Sequence, residues 1–240
     1  LAVVGVLVLP LNLIPFAVRR DRLGAVPWLY FFVIGLAFMA VEVVLIQQFT
    51  LLVGPSVLGL ATILLTLLVA SGAGSRAARH LPDAVPFAAI AVWLTLDIAL
   101  FQRVAAVLAP LPIAARIAAT IVLVAPLGLA MGMPFPKAGL RVGQAIAWGL
   151  AVNGTASVLG GTAVLLVAFT HGFRAALTAA GVLYVLAGLL LAAHRAWPGA
   201  MPSTMTDSTV YLRTKVDSSA GQPDPAGVVT ESTSPSTEYA

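Results

Sequence analysis

Residues Pro27 to Leu52 read PWLYFFVIGLAFMAVEVVLIQQFTLL, 26 residues with a single charged side chain, Glu42, near the middle. As a helix rising 1.5 Å per residue the stretch is about 39 Å long, enough to cross a hydrocarbon core of about 30 Å. It is apolar on every face, and a helix of that kind belongs in a core or a bilayer rather than at a water interface.

The rest of the chain repeats the pattern. Of 240 residues, 60% are hydrophobic and 9% charged, and the mean hydropathy is +1.02. Soluble domains are about half apolar and a quarter charged, so a soluble fold could not clothe this surface. Charged and Pro/Gly punctuation marks off seven apolar runs: Leu1 to Val18, Pro27 to Leu52, Ser56 to Ser71 (extending toward Gly74), Pro86 to Leu108, Ile113 to Met131, Ala145 to Phe169 and Phe173 to Ala193. The expected fold is all-α, a polytopic bundle of about seven transmembrane helices in a lipid bilayer over residues 1–196. From about Pro198 the sequence turns to Ser, Thr, Pro, Gly and Asp, which bury too little surface to offset ordering entropy, so 197–240 is expected to be a disordered tail.

Basic residues between the runs set the orientation. Arg19, Arg20, Arg22, Arg76, Arg79, Lys137, Arg141 and Arg195 fall on one side, against Arg103, Arg116 and Arg174 on the other. The positive-inside rule puts the larger group and the tail in the cytoplasm and Leu1 outside. The chain opens on Leu1, apolar at once and without the basic start of a signal peptide, as a piece of a longer protein would. The net charge of +4 reflects these span-end residues and forms no aromatic-interleaved patch, so nucleic acid is not an expected partner.

Function classes narrow by what the sequence lacks. It has no cysteine, no phosphate-binding Gly-rich loop, no His-Glu-x-x-His and no nucleophile elbow, and His80, His171 and His194 sit far apart at span ends. No metal site, no cofactor and no catalytic residue is expected in this chain.

What remains are polar residues where lipid would penalise them. Glu42 lies about 20 Å along its helix from Trp28, with Gln47 a turn further, and Asp97 about 17 Å along the fourth run from Pro86. An acid at such depth must face protein or water. Two readings stand: a proton or cation site, or a protonated or paired carboxylate that glues helices, with Arg103 the nearest cation and a Glu42–Arg103 ion pair the structural version. The sixth run places Ala145, Gly149, Asn153, Ser157 and Gly161 at steps of four on a slowly drifting face, suited to close packing, with Asn153 able to bond across an interface or contact a ligand. Gly128 and Gly132 carry the same packing meaning. Pro134 and Pro136, in Gly132-Met133-Pro134-Phe135-Pro136-Lys137, cannot both continue a regular helix. The helix either stops at the cytoplasmic surface there or breaks to expose backbone to an ion or substrate.

Several of these stretches together resemble bacterial membrane-bound spermidine synthase-like proteins. Gly35-Leu36-Ala37-Phe38-Met39-Ala40-Val41-Glu42 with Leu45-Ile46-Gln47 is similar to that family's Gly-x-x-Phe-Met-x-x-Glu-x-x-Leu-Ile-Gln signature. Ser71-Gly72-Ala73-Gly74-Ser75, Gly132-Met133-Pro134-Phe135-Pro136 and the helix from Trp148 through Asn153-Gly154 and Ser157 to Gly160 resemble later segments in order. The resemblance covers about Leu1 to Arg195. It implies a multi-pass region of a bacterial inner membrane, preceded by a cytosolic aminopropyltransferase-like domain of Rossmann type, with a polyamine or other cationic small molecule as a partner. The nucleotide- and amine-binding motifs of spermidine synthases are absent from this sequence, so the chain is not expected to be the catalyst. A cytosolic upstream domain would place Leu1 inside, against the charge count; a truncated first run, a re-entrant third, an external upstream domain or one separated by another span would reconcile the two. The rival expectations are a secondary transporter, or half of one, and a purely structural anchor.

Overall fold

The computed structural model describes residues 24–54 and 56–193, and every regular element among them is helical. The first apolar run, Arg19, Arg20, Arg22, Arg195 and the tail 197–240 lie outside the described residues. The helices are α1 (Ala25–Val53), α2 (Val57–Ala77), α3 (Ala84–Leu108), α4 (Ile113–Met131), α5 (Pro134–Val142) and α6 (Ile146–Ala193), with 3-10 turns at Ala78–His80 and Gly143–Ala145. Five stretches, Ala25–Val53, Val57–His80, Ala84–Leu108, Ile113–Val142 and Ile146–Ala193, are long and apolar enough to cross a membrane.

Local chemistry sets the ends. Pro27 sits in the first turn of α1, where a helix has no use for its absent N–H, and Gly54 (φ 112°) closes the helix with its N–H on the Thr50 carbonyl at 2.9 Å. The Ser56 hydroxyl accepts from the Gly59 N–H at 3.2 Å and caps the start of α2.

The sixth and seventh apolar runs emerge as one helical stretch of 48 residues with a kink at Gly172, whose φ of 87° and ψ of 167° are non-helical. A residue with a Cβ rarely adopts that conformation. The limbs before and after it fold back together. Arg141, just ahead of the first limb, donates to the Leu191 carbonyl near the end of the second at 2.7 Å, and Asn153 and Tyr184 line one cavity.

α1 forms the centre of the bundle, packed most extensively on α6 and also on α2, α4 and α5. Tyr30, Phe31, Ala37 and Val41 are fully buried. α2 lies on α4, and α3 on α4 and the second limb of α6. The outside of the bundle is apolar: Leu65, Leu68, Val122, Leu150, Phe169 and Leu189 are all exposed by more than half. Such a surface suits a lipid environment and would be costly in water.

Candidate functional site

Polar groups among these helices fall into three settings, and geometry tells them apart. The first is the seam between α1 and the first limb of α6. The Asn153 amide donates to the Phe31 carbonyl at 3.2 Å, and the Ser157 hydroxyl lies 3.2 Å from the Gly35 carbonyl and 2.8 Å from that of Asn153. Backbones approach closely here. A Cβ on Gly35 would run into the Asn153 carbonyl, one on Gly160 into the Leu36 carbonyl, and one on Gly149 into the Phe31 ring at 2.7 Å.

The glycine of contact is Gly160, whereas a Cβ on Gly161 would make only ordinary 3.9 Å contacts with Met39 and Val43. The four-residue series expected Gly161. At about 100° per residue each step of four drifts about 40°, so Gly161 stands about 120° round from Gly149 and Gly160 only about 20°. A second seam joins α2 and α4: a Cβ on Gly132 would meet the Ser71 carbonyl, one on Gly74 the Leu129 carbonyl, and one on Gly128 the Ala70 side chain at 3.0 Å.

The second setting is the charged end of the bundle. Lys137, 6% exposed, donates to the Leu81 carbonyl at 2.6 Å and pairs with Asp83 at 3.3 Å, and Arg141 also pairs with Asp83. Arg116 donates to the Leu52 carbonyl at the end of α1 at 2.9 Å, and Arg174 to the Ile98 carbonyl within α3 at 3.0 Å.

The third setting holds the mid-helix acids. Among the described residues Glu42, half-buried on α1, makes no hydrogen bond or ion pair. The expected Glu42–Arg103 pair does not form: Arg103 lies on the exposed face of α3, as a side chain reaching outward would. The Asp97 Oδ2 is buried without a partner among the described residues, in a cavity of about 180 Å³ walled by Phe49, Trp93, Phe101 and Leu123. The Trp93 indole crosses that region to the Leu123 carbonyl at 3.0 Å. Among the described residues Gln47, half-buried, has no side-chain hydrogen bond, and its neighbour Gln48, 4% exposed, has an unpartnered Oε1.

The proline pair does not end the helix at a surface. α4 stops at Met131, α5 restarts with Pro134 at its first position, and Met133, Pro134 and Ala138 stay buried. Tyr30, at the core of α1, donates to the Pro134 carbonyl at 2.9 Å and holds the break against the central helix. Beside it lies a cavity of about 360 Å³ with Gly132, Pro134 and Pro136 on one wall, Ser71 and Ser75 on another and Asn153 and Tyr184 on a third. The structure thus brings Asn153 and the break together around one space, keeps Asp97 in another, and leaves Glu42 between. Tyr184, absent from the sequence-based candidates, was legible as a lone phenol in Gly181-Val182-Leu183-Tyr184-Val185-Leu186.

No metal-binding group of three or more His, Cys, Asp or Glu side chains occurs among the described residues. Comparison with protein-family profiles, curated proteins and solved structures finds no match to this chain.

Proposed function

We propose that this chain is a multi-pass membrane region with an intramembrane site for protons or a cationic amine, served by Glu42 and Asp97. The observation that carries it is that both mid-helix acids stand without a cation among the described residues. A carboxylate deep among helices that serves only to glue them should have a partner, because an unpaired one costs several kcal/mol.

The placement of the acids supports the same reading. Ile34 and Phe38 line the larger cavity and Phe49 the smaller, Asp97-containing one. With Glu42 between them these four residues span an arc of only about 80° on α1. One face of the central helix therefore strings together a cavity, an acid, and a second cavity with an acid. A helix interrupted at Gly132 and Met133, just ahead of Pro134 and Pro136 and beside the first cavity, is the type of irregularity that transport sites use.

The resemblance stated above extends the proposal: the chain is the membrane region of a spermidine synthase-like protein in a bacterial inner membrane, with seven spans, a cytoplasmic tail and an aminopropyltransferase-like domain upstream. The test is uptake of labelled polyamine into membrane vesicles carrying the chain with its native upstream sequence, beside Glu42→Gln at matched expression. Uptake is expected to collapse in the variant while the protein stays folded. Absence of uptake in both, with equal abundance, would reduce the region to an anchor.

A further inference from the structure

The cavity beside the helix break has an apolar wall, with Ile34, Phe38, Met131 and Phe135 on it, and no charged side chain lines it among the described residues. Leu68 of α2 and Leu150 of α6 also line it and are both exposed by more than half, so the space opens between those helices onto the apolar flank of the bundle. What enters there comes dissolved in the bilayer. Inside, one polar group is left over. The Tyr184 hydroxyl is buried, its residue 1% exposed, and it has no hydrogen-bond partner among the described residues. A phenol O–H needs an acceptor, and a buried one that lacks it is costly. The other polar side chains of the lining already donate: Ser71 and Ser75 to the Leu68 and Gly72 carbonyls of their own helix, and Asn153 to the Phe31 carbonyl. The missing partner of Tyr184 is therefore an acceptor. Glu42, the acid within electrostatic reach of Tyr184, makes no hydrogen bond to it. Its negative charge, with no cation on the lining, disfavours an anion as that acceptor.

We infer that this cavity binds an uncharged, lipid-dissolved molecule through a carbonyl group, the carbonyl oxygen on the Tyr184 hydroxyl and the apolar body against Ile34, Phe38 and Phe135. A carbonyl supplies an acceptor without adding a charge or a donor. The volume of about 360 Å³ lies within the range of about 300–1,000 Å³ for small-molecule sites, and an apolar wall with a few placed polar groups is their usual make-up. A single water would satisfy the phenol but occupies only about 30 Å³ and leaves the apolar wall uncovered. Such a carbonyl has two sources in a membrane: the ester groups of the bilayer's own lipids, and a free ketone or quinone dissolved among them. The inference stands on Tyr184 alone, so it holds or fails separately from the acid site proposed above.

The test is photolabelling of the full chain in lipid nanodiscs by benzophenone, a ketone, with diphenylmethane, the same ring pair without the carbonyl, as competitor. Label is expected on cavity residues such as Leu68, Met131 and Leu150, located by peptide mass spectrometry. Half-saturation is expected at about 3- to 10-fold higher concentration in Tyr184→Phe, as for one lost neutral hydrogen bond, while diphenylmethane competes with the same affinity in both chains. Isotope-edited infrared spectra should show the bound ketone's carbonyl stretch lowered in the native chain and not in the variant. Thermal unfolding verifies that the variant is folded; if it is not, the stretch in the native chain decides, and an unshifted one overturns the inference. The nanodisc lipid separates the sources. Labelling only in ether-linked lipids, which lack ester carbonyls, assigns the site to the bilayer's esters, and equal labelling in ester-linked lipids assigns it to a free carbonyl compound. No label at the cavity in either lipid, or half-saturation and carbonyl stretch unchanged by Tyr184→Phe, overturns the inference.

Discussion

The α1–α6 seam around Gly35 and the stretch of α1 that carries Glu42, about two turns further on, differ in one respect. On the seam, Asn153 and Ser157 reach carbonyls of α1 and the glycines let the backbones close on them. Further along the same helix Glu42, and Asp97 on α3 beyond it, reach nothing among the described residues. Polar residues inside a helical bundle are costly unless partnered. The seam meets that condition with its own atoms, and its residues serve structure. The acids do not meet it, and the mismatch marks them as the residues to test for function.

The largest expected effect breaks the seam. Gly35→Ala puts a methyl into the Asn153 backbone, which cannot yield as a side-chain tip would, so destabilisation at the upper end of about 1–3 kcal/mol is expected in thermal unfolding in detergent. Gly161→Ala, one residue from the contact glycine, should stay within about 0.5 kcal/mol of the native chain. Equal losses at both positions would mean that the seam is not the close contact described. Next in size, Asp97→Leu replaces an unpartnered buried oxygen with methyl groups in an apolar cavity. Stability is expected to hold or to rise by up to about 1 kcal/mol, whereas a marked fall would reveal a hidden structural partner. The smallest effect is Asn153→Ala, which removes one interhelical hydrogen bond. Double-mutant cycles between membrane helices average about 0.6 kcal/mol for such bonds, and a loss of that order is expected by the same unfolding assay.

The boundaries of α1, α3 and α4 were legible to within two residues because charged, proline and glycine punctuation interrupts apolar runs at bilayer length. α2 runs past the expected end at Ser71, or at most Gly74, to Ala77, because Gly74 lets it lie directly on the Leu129 backbone of α4. The shift from Gly161 to Gly160 arises where a four-residue step outruns a 3.6-residue helix. Asp83, Lys137 and Arg141 form one cluster although Asp83 is more than fifty residues from either partner, a relation that local spacing cannot carry.

By itself the sequence determined that the chain is helical and suited to lipid, because hydropathy and run length act residue by residue. It also exposed Glu42, Asp97, Asn153 and the proline pair as exceptions, since each violates the local apolar rule. Only the tertiary structure decided which exceptions are satisfied. Partnership depends on which helix faces which, and that is set by the shape complementarity of seams such as Gly35 against Asn153 rather than by any local signal. The same packing brought Tyr184 and the serines of α2 to the helix break, and left Glu42 without the arginine that comparable depth along the spans had suggested.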